Sequence, residues 1–542
     1  MQVLTRKVHD VCVIGSGPAG GFVAKELTEA GAEVLLLEAG REVPPHEFAG
    51  HKWPYEFPLR GTWAERQRHF YPDEIERHIR YTGPDRIGVD RIRVLGGRST
   101  HWNAVCLRFA EDDFREGSIH GQEPDWPITY ADLAPYYSYV ERVIGVCGTR
   151  EGLAALPDGE FYGPPPRMRC AERLGKRACD KLGIPVIPVR KAMLVGRSRP
   201  GRMPCHYCSH CMQGCEVGAI FTSANTLIPL AQATGRLTLR TNALVRRIET
   251  DREGRATGVA FVDRVTGQDH LAHARIVVVC AGAVETPRLL LNSTSPRFPN
   301  GLANSSGLVG CYLTGHVTAQ LYGYLTPLVG RDLDNQDGAT DHTTIPRFRS
   351  INSGRGYVGG FMAQIQFADP MYPHHASRVR GFGTAWKRRV RELQPAMYQM
   401  GGYGKLLARR ENRVTVDPDQ RDPHGIPIPV VHHAFSDNDK ALWKDMVATL
   451  EEIFHTAGTE LFWKDERMVG FASHEVGTCR MGTDPKTSVL TPFCRSHDVP
   501  NLFVADGSPF VTFPEKNPTL TIMALAVRTA RYIAEERRKN NL

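Results

Sequence analysis

Four of the thirteen cysteines fall within eleven residues, "CHYCSHCMQGC", at Cys205, Cys208, Cys211 and Cys215. The C-x2-C-x2-C-x3-C spacing puts four soft sulfur donors along one short loop, and it matches the run that bacterial ferredoxins use to hold an iron–sulfur cluster. Glu216 stands where a proline usually follows. No second run is present, so Cys215 has to bend back to the same centre. The spacing therefore predicts a [4Fe–4S] cluster on all four thiolates, with [3Fe–4S] left open if Cys215 does not reach. Zinc and disulfides are the weaker alternatives. Zinc more often takes two cysteine pairs across a longer loop, and bridges between such near neighbours would be strained.

A second chemical signature opens the chain. "VCVIG" is a short apolar run of the kind that forms a buried parallel strand, and Gly15-x-Gly17-x-x-Gly20 follows at once. The next residues have helical spacing up to Gly31, and "EVLLLEAG" is a second buried strand ending at Glu38, 18 residues beyond Gly20. A strand, a glycine-rich turn, a helix and a distal acid together form a dinucleotide site. Gly15 permits the turn, Gly17 lets the backbone approach a pyrophosphate, and Gly20 lets helix and strand pack closely. The helix N-terminus favours the phosphate charge, and Glu38 accepts from a ribose. The glycines do not separate NAD from FAD. Residues 274–293 form another buried strand leading into a helix, and residues 500–536 form a strand, a loop and a long helix with Pro518 near its first turn. A second helix N-terminus aimed at the cofactor suits a reduced flavin, which carries negative charge at its N1/C2 edge.

The elements that position these groups need a large frame. The chain has 542 residues, enough for two or more domains, and a formal charge of +8 spread over its length. The basic stretch at residues 387–389 and the basic C-terminus read as solvated faces. No basic stripe is interleaved with aromatics, so no nucleic-acid partner is expected. No apolar run approaches the ~18 residues of a membrane span, and the N-terminus runs directly into a strand with no signal-like region. Cys12 and Cys280 sit in apolar runs and read as small buried residues.

Taken together, the N-terminal motif, "GGRSTHWNAVCLR" (96–108), "WPITYADLAPYY" (126–137), "AGAVETPRLLLNS" (281–293), "NRVTVDP" (412–418), "HEVGTCRMG" (474–482) and "NLFVADGS…NPTLTIMALA" (501–526) resemble the glucose–methanol–choline (GMC) family of FAD-dependent oxidoreductases. The matches keep the family's order over nearly the whole chain. The resemblance implies an α/β fold: a Rossmann-like FAD-binding domain interleaved with an α+β substrate domain whose sheet caps the flavin. It implies hydride transfer from an alcohol carbon to flavin N5, with His474 as the base and Asn517 orienting the hydroxyl. Gly97, Ser99, His101, Asn103, Val245, Ala281, Asp506, Gly507, Pro518 and Thr519 fall in the flavin-binding segments. The "STHW" form resembles pyranose-oxidising members, in some of which a histidine equivalent to His101 bonds covalently to the flavin. Whether His101 does so stays open.

Bacterial relatives of this type, including glucoside 3-dehydrogenase catalytic subunits, carry cysteines in the same region. The resemblance thus implies a sugar or glycoside dehydrogenase that relays single electrons through the cluster to a cytochrome c. It also implies export to the periplasm beside a small signal-bearing subunit, with a cytoplasmic location as the alternative. Two other functions stay open: a pyranose oxidase-like enzyme reducing O2, with structural cysteines, and a non-catalytic flavin-binding subunit. The FAD domain is expected to use residues 1–50, 85–110, 200–310 and 470–542, and the substrate domain residues 311–470. Residues 51–84 and 111–199 then serve as lid and connecting segments. Residues 332–374, with poor periodicity, are expected to form a mobile lid or partner surface. His432 and His433 read as ordinary strand or loop residues, and His497 as exposed.

Overall fold

The computed structural model describes residues 2–48, 77–89, 91–208, 211, 214–333, 341–367, 376–470 and 473–542. Its frame is a mixed α/β arrangement built on two large sheets. In the first, β1 (Gln2–Ile14) lies parallel to β2 (Val34–Leu37), which lies parallel to β3 (Leu237–Arg240). Val11 to Ile14 and all of β2 are buried, as expected of strands covered on both faces. Between them runs α1 (Pro18–Glu29), with Pro18 in the first turn and Gly31 at φ +89° just past the end, the asymmetry that helix termini prefer. The antiparallel strands β4 (Ala243–Thr250) and β5 (Ala256–Asp263) lead into β6 (Asp269–Val279), which returns parallel to β1. The first part of β6 pairs with β5.

The second sheet is antiparallel at its centre. There β7 (His316–Leu325) pairs with β9 (Met397–Lys405), which pairs with β8 (Phe361–Phe367). The strand Thr343–Ile345 extends it beyond β8, and Ile187–Pro188 pairs with that strand in turn. Residues 187–188, expected in a connecting segment, thus belong to this sheet. At the C-terminus, β10 (Leu502–Val504) runs parallel to the last residues of β6, so the chain's two ends are stitched into one sheet.

Four helices hold the frame. Helix α2 (Tyr130–Ile144) is capped by Thr129, whose Oγ1 accepts from the Asp132 N–H. Helix α3 (Glu285–Asn292) follows β6. Helix α4 (Asp437–Thr456), capped by Ser436, packs on the second sheet, where the Trp443 indole donates to the Thr318 carbonyl. Helix α5 (Thr519–Arg538) is buried against the first: Tyr137 and Thr521 hydroxyls meet at 2.8 Å, and Arg531 pairs with Glu26 of α1. Arg108 and Glu141 form a buried pair that ties residues 96–108 to α2.

Residues 332–374 depart from the expectation of a lid. Thr343–Ile345 and β8 lie within this stretch and are strands of the second sheet, while residues 334–340 and 368–375 lie outside the described residues. Glycines and buried glutamine masked the alternation that usually announces a strand. Residues 51–76 of the expected lid also lie outside the described residues, whereas Arg80–Thr82 pairs with Val430 to His432. His497 is half-buried rather than exposed, because its Nε2 meets Ser488 Oγ at 2.9 Å.

Candidate active site

A cavity of about 340 Å³ opens where the carboxyl ends of β1, β2 and β6 face the second sheet. This is the place an open α/β sheet reserves for a ligand. Gly15, Gly17, Glu38, Gly97, Ser99, His101, Asn103, Val245, Ala281, Asp506, Gly507, Pro518 and Thr519 all line it. Gly20 does not. Its part is structural: a Cβ there would overlap the Gly15 carbonyl oxygen, so only glycine lets α1 start this close to β1. Gly15 itself sits at φ +96°, which closes the turn.

The acid at the end of β2 is firmly held. One Glu38 oxygen accepts from the Ser16 N–H at 3.0 Å and the Ser16 hydroxyl, and the other accepts from the Gly40 N–H at 2.8 Å. Burial raises its pKa, while these donors pull it back toward the carboxylate. Across the cavity, Asp506 accepts from the Gly282 N–H at 2.8 Å and from the Thr286 hydroxyl, which locks the turn after β6 to the segment after β10. An ion pair of buried Arg91 with half-buried Glu285 also lines the cavity.

The reactive end is built by four segments. His474 precedes a turn after the second sheet, and Asn517 lies just before α5. The Asn517 Nδ2 donates to His474 Nε2 at 3.4 Å, and Gln364 of β8 donates to Asn517 Oδ1 at 3.3 Å. Tyr403 of β9 and Ser473 complete the wall. Behind His474 lies His316, the first residue of β7 and fully buried. The two Nδ1 atoms are 3.0 Å apart, and His316 Nε2 contacts the Pro514 carbonyl at 2.9 Å. Burial, with His316 and Arg98 nearby, holds His474 well below the usual imidazole range. Burial likewise lowers His316 to about 4. Arg98 is paired with Glu475 at 2.9 Å. Burial and Arg98 lower His101 to about 4.

The sequence reading missed His316, Gln364 and Tyr403. A lone histidine opening an apolar strand and a glutamine inside one carry no local signal. Only register in the second sheet turns Gln364 and Tyr403 toward the cavity and sets His316 behind His474.

The cysteine run forms a separate site. Cys205, Cys208, Cys211 and Cys215 line a small cavity of about 20 Å³, together with His206, Met193 and Ile220. The Tyr207 N–H donates to Cys205 Sγ at 3.3 Å, and backbone hydrogen bonds from Ile220 and Ala219 reach Cys215. Burial pushes the Cys205 thiol up to about 12, and the neighbouring thiols add to this. Tyr207 adopts φ +61° and Gly214 φ +94°, both in the left-handed region.

A glycine-cradled dinucleotide cavity with a histidine and an amide at its far end defines a flavin-dependent alcohol oxidoreductase. The family model for GMC oxidoreductases matches residues 80–335 and 408–526, and the chain belongs to that family. It is 34% identical to the 2-methyl-1,2-propanediol dehydrogenase of Mycolicibacterium austroafricanum, covering 97% of this chain and 95% of that one. It is 29% identical to the fructose dehydrogenase large subunit of Gluconobacter japonicus, covering 96% and 97%. Among solved structures it resembles pyridoxine 4-oxidase from Mesorbium loti, with a TM-score of 0.65, 18% identity, and 97% and 99% of the two chains covered. The protein is thus a GMC oxidoreductase acting on alcohol or sugar hydroxyls, and its family implies FAD. The cavity fits that cofactor. Gly17 faces open space where a Cβ would stand, and Glu38 lines the same cavity at the end of β2.

Proposed function

We propose that the protein is a dehydrogenase that oxidises a secondary or hemiacetal hydroxyl of a sugar or glycoside, with electrons leaving one at a time through an iron–sulfur cluster on Cys205, Cys208, Cys211 and Cys215. The observation that carries the first half is the meeting of His474 Nε2, Asn517, Gln364 and Tyr403 at one end of the cavity that holds the glycine motif. FAD, when bound, supplies the acceptor for the carbinol hydride. His474 takes the hydroxyl proton at Nε2. Asn517 donates to the hydroxyl oxygen without competing for that proton, and Gln364 fixes the Asn517 amide. The glutamine, tyrosine and serine around them suit a substrate rich in hydroxyls. Relatives named for fructose and a C-glycoside support this substrate class, while the relative named for 2-methyl-1,2-propanediol, whose hydroxyls are primary and tertiary, supplies the competing substrate for the test.

Three features support the cluster. Backbone N–H groups aim at Cys205 and Cys215, as they do where sulfur carries metal-bound charge. The four thiols line one small cavity together. Among the described residues, the one group of three ligating side chains with donor atoms all within 4.8 Å is Glu116, His120 and Glu123. That group already closes on the Lys405 ammonium. Finally, Trp102 in the wall of the large cavity donates to the Phe221 carbonyl at 2.8 Å, and the adjoining Ile220 lines the cysteine cavity. The Trp102 indole and residue Phe221 therefore link the two sites. When bound, the cluster would supply one-electron chemistry between the flavin site and an external acceptor such as a cytochrome c.

A small signal-bearing subunit and a periplasmic location belong to the same reading, and the likeness to a protein named as a large subunit supports the first. Among the described residues, no helix is long and apolar enough to cross a membrane.

The test is anaerobic spectroscopy of the purified protein with D-fructose, methyl glucosides and 2-methyl-1,2-propanediol, alongside iron and acid-labile sulfide analysis. Flavin bleaching by a sugar, with iron and sulfide present beside FAD, is the expected result. Bleaching by the diol alone would overturn the substrate class. Zinc, or no metal, with rapid reoxidation by O2 would favour an oxidase with structural cysteines.

A further inference from the structure

We propose that His316 is a positioning residue that holds the His474 imidazole in its Nδ1–H tautomer, leaving Nε2 unprotonated toward Asn517. The argument follows the hydrogens inward from a group that cannot donate. The Pro514 carbonyl only accepts, so the His316 Nε2 that meets it at 2.9 Å carries the hydrogen. A neutral imidazole has one N–H, so His316 Nδ1 is then a lone pair. That lone pair lies 3.0 Å from His474 Nδ1, which must therefore be the donor. The remaining nitrogen of His474, Nε2, is the acceptor, and it is the one that faces the Asn517 amide at 3.4 Å.

The surroundings keep His316 neutral and still. It is fully buried, and its ring stacks on Phe513 at 4.4 Å and 12°. Burial holds its pKa near 4. The charged groups around the pair are each engaged elsewhere. Lys405, opposite His316 in the β7–β9 register, is held by Glu116 and Glu123. Glu515 is held by Lys516 and Arg347, and Arg98 by Glu475. Tyr403 packs its ring against both imidazoles. When the substrate hydroxyl proton arrives at Nε2, the new imidazolium keeps its Nδ1–H on His316, so no second proton has to move. A backbone carbonyl two bonds away from the chemistry thus sets which nitrogen is the base.

The inference rests on His474 being the base, and the test separates the two. Holoenzyme carrying 15N-histidine would be studied by long-range 15N–1H correlation. His474 and His316 would be assigned by comparison with His474→Gln and His316→Gln. His474 protonated at Nδ1 and His316 at Nε2 across about pH 6–8 is the expected signature. His316→Phe keeps the ring stack but offers no acceptor. It should mix the His474 tautomers and slow anaerobic flavin reduction by D-fructose on the order of tenfold at unchanged FAD content. His316→Gln can accept from His474 and donate to Pro514, and it should restore both the signature and most of the rate. An Nε2–H tautomer at His474 in the unmodified holoenzyme would overturn the proposal even if the phenylalanine variant does not fold. An unchanged tautomer and rate in a folded His316→Phe would also overturn it. If the Nδ1–H signature stands while His474→Ala reduces its flavin normally, the base assignment fails and the tautomer assignment survives.

Discussion

The flavin cavity and the cysteine cavity are linked through the Trp102–Phe221 hydrogen bond, yet they are built on opposite plans. The first is walled by strand ends and helix starts drawn from both sheets, and its polar groups already hold one another: Glu38 on Ser16 and Gly40, Asp506 on Gly282 and Thr286, His474 between His316 and Asn517. The second draws its four thiols from one short stretch of sequence, and its sulfurs receive a few backbone N–H groups. On the proposed function, in which the thiols hold an iron–sulfur cluster, the difference teaches how two kinds of transfer are housed. Moving a proton and a hydride together needs groups aligned to a fraction of an ångström, which rigid elements deliver. A metal cluster organises its own ligands, so a loop with correctly spaced thiols suffices.

The sharpest way to break this contrast is His474→Ala. Flavin reduction should fall roughly 10²–10⁴-fold while FAD stays bound, because only the proton acceptor is lost. Stopped-flow bleaching at the normal rate would dissolve the idea of a preorganised proton site. Next in size is Cys208→Ser, which replaces a soft ligand with a poor one. Iron content and turnover with cytochrome c should collapse together, while a single turnover of flavin reduction survives. Equal loss of both activities would make the loop part of the rigid frame, and loss of neither would remove its electron-carrying role.

A smaller effect concerns pH. His474 is held well below the ordinary imidazole range, so the neutral base persists as pH falls through 6.5. The rate of flavin reduction should stay level from alkaline pH down past that value and drop only in more acid solution. A limb centred near the free-histidine pKa would show that the cavity does not shield the ring. Smallest is Glu38→Ala. It should weaken FAD retention about tenfold, the worth of one hydrogen bond to a charged group, without altering the pH profile. Equilibrium dialysis with full FAD occupancy would count against a role at the ribose end.

Much of the frame was legible before any coordinates. The glycine turn, the strands around it, the acid at Glu38 and the helix after Pro518 announce themselves through local periodicity and backbone demands, and all but Gly20 of the residues expected at the cofactor line one cavity. The second sheet was legible only in part. Residues 332–374 looked irregular because β8 alternates weakly and Thr343–Ile345 is short, so long-range pairing rather than propensity makes them strands.

The sequence by itself determined the dinucleotide turn and the cysteine spacing, because both are properties of contiguous chain: a φ angle, a close approach, a count of residues between thiols. Tertiary structure alone decided the environment of His474, the proposed base. His316 lies 158 residues from His474 and Gln364 lies 153 from Asn517, and no local signal links them. Their meeting depends on the register of β7, β8 and β9, in which a slip of one residue would turn each of those side chains to the opposite face.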